Sequence, residues 1–252
     1  MAEKTTGQDN LDAMSLGDHL DELRSRAIRA LLGLIPAVII TTIFGRQLFR
    51  FFCGPYEIAM RSVGREPRLI TVGVAESFLM YCYVTLLFGL LLASPWIFWQ
   101  LWQFIAAGLY AKEKRYVRIL APLSTVFFIG GAVFFIVVVA PLTLRFFLGF
   151  NVGVDFVENL STLRNYLVFM GRMSLVFGLS FQLPLLMVGL NRFGMLSLEM
   201  MRRWRKYAIL GIAIVSAVLT PPDVVSQISL GIPLYLLFEL GVLICRIAGR
   251  KG

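Results

Sequence analysis

The sequence has little of what soluble active sites are made from. It holds one His, His19, and three Cys, Cys53, Cys82 and Cys245, which are far apart and form no CxxC pair. That spacing indicates neither a zinc site nor a disulfide framework. No HExxH, GxSxG or Walker A segment occurs. A Ser–His dyad within a membrane would need a buried His, and His19 stands in a polar segment. An enzyme is therefore not expected, nor is a cofactor or a metal. Charge is also scarce, with Asp, Glu, Lys and Arg making up 15% of the residues, against about 25% in soluble domains. The N-terminus is polar and acidic, whereas a cleavable signal peptide begins basic and turns apolar at once.

What is present is apolar. Ala, Val, Ile, Leu, Met, Phe, Trp, Tyr and Cys make up 58% of 252 residues. A soluble body of this size cannot hide that much apolar surface. Soluble enzymes, disordered tails and nucleic-acid modules are excluded, and the solvent is lipid.

A helix needs about 20 mostly apolar residues to cross a bilayer core. The charge-poor runs predict an all-α polytopic membrane domain of six transmembrane helices, at about 30–45, 76–97, 119–141, 166–190, 207–220 and 227–245. Residues 1–29 form a cytoplasmic amphipathic segment. External loops cover 46–75, 142–165 and 221–226. The second run, Ser77–Ala111, is too long for one upright span. Its half carrying Trp96, Trp99 and Trp102 reads as an interfacial stretch after a span that ends near Ile97. The fifth and sixth spans are short, implying tilt or local bilayer thinning. The first external loop mixes Leu48, Phe49, Phe51 and Phe52 with Arg residues, as a short amphipathic surface helix would.

The net charge of +9 is distributed unevenly. With both termini on one side, 16 of the 24 Lys and Arg fall on that face and 7 on the other, Arg172 lying within a span. The positive-inside rule places both termini in the cytoplasm.

Against this positive field the acids stand out. In Ser15–Arg26, Leu16, Leu20 and Leu23 recur at helical spacing. Ser15 with Asp18 fits an acidic capping box. Glu22 faces Arg26 at i,i+4, a pair worth about 0.2–0.5 kcal/mol. Asp18, Asp21 and Glu22 also make an anionic spot suited to a cationic ligand. Glu113, between Lys112 and Lys114, reads as a solvated charge in the first turn of span three. It reads equally as a second carboxylate on the face of Glu22. Two such groups can each accept a guanidinium through two hydrogen bonds. Within or near the membrane stand Glu76, Arg172, Gln182 and Glu239, each needing a partner or a wet cavity. Glu76 and Arg172 lie near external span ends, and Gln182 is either interhelical glue or part of a polar groove. Arg246, seven residues on, is a candidate neighbour of Glu239. As pathway groups these four would describe a small-solute or ion transporter. In the last external turn, Thr220-Pro221-Pro222 cannot continue a helix, and Asp223 can cap the next.

The segments HLDELRSR (19–26), FIAAGLYAKEKR (104–115), SFQLP (180–184), LTPPDVVSQ (219–227) and IPLYLLFELGV (232–242) resemble the TatC family of the twin-arginine protein translocase. The resemblance runs from about residue 16 to 246. It implies six spans in a concave, cup- or glove-shaped bundle with both termini cytoplasmic, in the bacterial inner membrane. It implies a receptor for twin-arginine signal peptides of folded cargo, driven by the proton-motive force. The implied partners are single-span TatA- and TatB-type proteins and further copies of the chain. Glu22 and Glu113 match the acids that bind the arginines. His19, Leu20, Arg24, Phe104, Pro55 and Asp223 match motif positions, as does Glu76 for many relatives. Gln182 stands where many relatives have Glu, which weakens any role for a titrating proton there.

Overall fold

The computed structural model describes residues 16–107, 114–149, 161–192, 194–219 and 224–249. Ser15, Glu113 and the Thr220–Asp223 turn lie outside these residues.

Helix α1 (Leu16–Ile43) merges the juxtamembrane segment and the first span into one rod of 28 residues. Polar Asp21–Arg29 gives way to an apolar run with no Gly or Pro until Gly33 and Pro36, so nothing breaks the helix between them. Helix α2 (Gly45–Ser62) is the amphipathic loop helix, and Phe52, Pro55, Tyr56, Ala59 and Met60 are its buried face. Helix α3 (Glu76–Ala107) is 32 residues long, about 48 Å at 1.5 Å per residue. The expected end of the second span near Ile97 is not a helix end. Pro95 is accommodated, and the Trp-rich stretch continues the same helix.

Helix α4 (Lys114–Phe134) passes through a π-helical turn, Phe135–Val139, into α5 (Ala140–Gly149). The Ala140 N–H donates to Phe135 O, an i→i+5 bond. Pro141 follows at once. Its ring would clash with the carbonyl four residues back and it supplies no N–H, so the wider turn relieves a conflict written in the sequence. The fourth span is likewise broken. Helix α6 (Leu163–Ser180) and α7 (Leu183–Arg192) meet at a turn of Phe181 and Gln182, just before Pro184. Short α8 (Leu198–Arg203) precedes α9 (Arg205–Leu219) and α10 (Val224–Gly249).

Among the described residues, five stretches are long and apolar enough to cross a membrane: Leu20–Ile43, Glu76–Ala107, Val117–Gly149, Leu163–Arg192 and Gln227–Ile247. Helix α9 has 15 residues, about 22 Å, and falls short. Helix α10, with 26 residues, is not short, contrary to expectation. Glu239 and Arg246 truncate its apolar run without interrupting the helix.

Helices α1 and α3 pack along a line of small residues. Ala37, Thr41 and Gly45 are buried at four-residue intervals, and Gly33 continues the line. A Cβ on Gly33 would strike the Trp96 indole, whose Nε1 donates to Arg29 O at 2.8 Å. Thr41 Oγ1 donates to Thr85 O at 2.8 Å across the seam. Helices α4 and α6 meet at Gly131 and Gly178. A Cβ on Gly131 would lie 2.7 Å from Phe177 O, whereas one on Gly130 would meet nothing within 4 Å.

At the end remote from Glu22, a short parallel pair joins Leu69–Ile70 to Ser161–Thr162. Tyr166 OH donates to Phe52 O at 2.7 Å, and Tyr56 OH to Arg68 O at 2.9 Å. Together they pin α2 to α6 and to the loop after it.

The paired glycines supply a test. Gly131→Ala should lower stability in detergent by about 1–3 kcal/mol, because backbone blocks the added methyl. Gly130→Ala should leave it unchanged or slightly raised. Equal melting temperatures for the two variants would contradict the close α4–α6 approach.

Candidate functional site

Glu22 lies in the polar first part of α1. Its Oε1 accepts from Arg26 Nε at 2.6 Å, with both side chains about three-quarters covered. Arg26 Nη1 also donates to Gln100 Oε1 of α3 at 3.2 Å. Gln100 is buried. The expected helix pair is therefore present, with an addition. Its arginine is braced by a neighbouring helix, so the carboxylate is held at a fixed place. Gln100 was not singled out in the sequence, although it is a polar residue within the apolar run PWIFWQLWQF.

Leu20, Asp21 and Arg24 are exposed around Glu22. His19 lies in α1 by its backbone, and its side chain, like that of Asp18, is outside the described residues. Phe104 is half-buried near the end of α3. Glu113 follows in the segment outside the described residues, as Asp223 does before α10. Pro55 is buried in α2 at the other end of the bundle and does not join this group.

The remaining polar groups have local partners. Glu76 Oε2 accepts from the Val72 and Gly73 N–H groups at 2.7 and 3.1 Å, and its Oε1 accepts from Arg164 N–H at 3.1 Å. One carboxylate thus ties the start of α3 to the start of α6. Gln182 is glue rather than groove, since its Nε2 donates to Ser124 O at 3.0 Å and the residue is buried. Trp102 Nε1 donates to Ser124 Oγ at 2.8 Å, so one serine links α3, α4 and the α6–α7 break. Glu239 accepts from Arg205 of α9 at 2.8 Å and from Tyr235 OH at 2.9 Å. The expected neighbour Arg246 is not its partner. Arg172 is exposed. Glu76, Gln182 and Glu239 are thus engaged at separate places, and do not line one path.

The cysteines carry no evident chemistry. All three are free thiols. Burial pushes the Cys53 thiol up to about 11, so it stays protonated at neutral pH.

Long apolar helices, small-residue seams and polar groups concentrated at helix ends define a polytopic α-helical membrane protein. Residues 18–233 match the family described as TatC, Sec-independent protein translocase protein. A relative of that description from Desulforapulum autotrophicum is 38% identical over 93% of this chain and 85% of its own length. One from Escherichia coli K12 is 33% identical over 96% and 92%. A crystal structure described as the twin arginine translocase receptor TatC has a TM-score of 0.79 at 30% identity, covering 92% of this chain and 99% of that one. A second, of the same receptor in DDM, has a TM-score of 0.80, also at 30% identity, over 90% and 98%. The chain belongs to the TatC family and is a component of the Tat translocase.

Removing the Glu76 carboxylate as Glu76→Ala should leave three backbone N–H groups without their acceptor. Hydrogen exchange at Val72, Gly73 and Arg164 should speed up together, while amides at the Glu22 end stay as protected as before. Unchanged exchange at all three would show that the staple is not formed.

Proposed function

We propose that this TatC-family chain is the receptor that binds twin-arginine signal peptides of folded proteins at its cytoplasmic face. The observation that carries the reading is the Glu22–Arg26–Gln100 arrangement at the polar end of α1 and α3. A carboxylate has two oxygens and about four lone-pair sites. Arg26 engages Oε1 from the helix side, which leaves capacity for an incoming guanidinium. Because Gln100 holds Arg26, the acceptor is preorganised and little side-chain freedom is lost on binding. Glu113 is the second acceptor in this reading, and Phe104 lies in the segment that leads to it, whereas Asp223 belongs to the external turn and takes no part in the site. Arg is preferred over Lys because its planar fork presents two donors at once.

In this reading α9 is the fifth of six spans, and an even number puts both termini on the cytoplasmic side of the bacterial inner membrane. The six form a cup whose concave wall receives the apolar part of the signal. At about 22 Å, α9 requires a thinned bilayer or shielding by neighbours. TatA- and TatB-type single-span proteins and further copies of the chain complete a complex powered by the proton-motive force. The chain itself performs no covalent chemistry.

A photoreactive Arg-Arg signal peptide should crosslink to the purified protein, and its Lys-Lys variant much less. Glu22→Ala or Glu113→Ala should reduce labelling about tenfold or more, the loss of a charge-assisted hydrogen bond, while insertion is unaffected. Normal labelling of both variants would place the site elsewhere. Solute flux through liposomes holding this chain alone would favour a transporter instead.

A further inference from the structure

Helices α3 and α4 enclose an open cleft of about 660 Å³ on the lipid-exposed surface. Pro95, Trp96 and Trp99 form one wall, and Pro122 and Val126 the other. Arg118 is its one charged lining residue. It lies in the second turn of α4, at the membrane-boundary end, eight residues before Val126. At 1.5 Å per residue the cleft runs about 12 Å along α4 from the cation toward mid-membrane.

Arg118 is exposed and, among the described residues, enters no salt bridge. A cation at the boundary above an apolar trough has the polarity of a phospholipid. Its phosphate would meet the guanidinium and its acyl chain would lie between Trp99 and Val126. The charge also selects against the other long apolar occupant such a translocase meets. A twin-arginine peptide would bring its two cations to the same end of the trough as Arg118.

We propose that the α3–α4 cleft is a binding site for one anionic phospholipid, with the headgroup on Arg118 and an acyl chain against Trp96 and Trp99. Arginine fits this role because its planar donors engage two phosphate oxygens. The tryptophans give the chain a rigid wall, and Trp96 is fixed by its hydrogen bond to Arg29 O. Glu22, Arg26 and Gln100 are not among the residues lining the cleft. It would hold an anionic lipid beside α3, the helix that braces the Glu22–Arg26 pair.

The test uses the full chain in phosphatidylcholine vesicles carrying a trace of phosphatidylglycerol with a mid-chain diazirine. A phosphatidylcholine probe with the same chain is the control. After irradiation, phosphatidylglycerol should label peptides containing Trp96–Trp99 and Pro122–Val126. Unlabelled phosphatidylglycerol should compete. Arg118→Gln should cut labelling about fivefold, the effect of one surface cation on an anionic lipid, and Arg118→Lys should retain part of it. Equal labelling by the two probes, no competition on the native chain, or full labelling of Arg118→Gln would overturn the proposal. So would displacement of the lipid probe by an Arg-Arg signal peptide, which would assign the cleft to the peptide.

Discussion

Within a bilayer, lipid tails are as apolar as leucine, so helices gain little from hiding apolar surface against each other. Association must come from close contact of backbones and from the few hydrogen bonds that link them. This constraint accounts for the positions of the small residues. Gly33, Ala37 and Thr41 make a smooth ridge on α1 that Gly45 continues at the start of α2, and Gly131 meets the Phe177 carbonyl without a side chain between. The lipid-facing surfaces have no such demand. Leu31, Ile35, Ile39 and Ile43 of the same α1 helix are exposed.

The same constraint governs polar groups. A donor or acceptor in the apolar interior costs several kcal/mol if left alone. Among the described residues, Thr41, Trp102, Gln182 and Glu239 are each engaged nearby. Two breaks in helical hydrogen bonding stand next to proline, at Pro141 after the π-helical turn and at Pro184 after the α6–α7 break, whereas Pro95 and Pro122 are carried inside their helices. Gln182 then returns a hydrogen bond across that second break. With the interior groups satisfied, chemistry is left to the helix ends, where water and charge are available. Glu22 and Arg118 both stand there, one in α1 and the other in α4.

Much of this was readable from residues alone. Charge-poor runs give the long helices, because a mid-membrane charge is costly. The alternation of Phe and Arg after Gly45 gives α2. The i,i+4 spacing gives the Glu22–Arg26 pair. What was not readable depends on neighbours distant in sequence. Gln100 looks like an interfacial residue until α1 is laid beside it. Glu239 has Arg246 close in sequence, but the packing of α9 on α10 brings Arg205 closer. The length of α3 was underestimated because a tryptophan belt marks where a membrane ends, not where a helix does. Likewise α10 extends past its apolar run, since a charged residue near the boundary can reach water without leaving helical geometry.

Residue 182 shows how one substitution can change what a site is able to do. The bond made there is a donation from Nε2 to the Ser124 carbonyl. An amide always carries that donor. A carboxylate has none unless protonated, so the Glu found in many relatives would hold this contact only in its neutral form, and on ionising would face a carbonyl dipole of like sign. In those relatives the junction of α4 with the α6–α7 break would be sensitive to protonation. An amide does not titrate near neutral pH, so with Gln182 this hydrogen bond across the α6–α7 break is independent of pH.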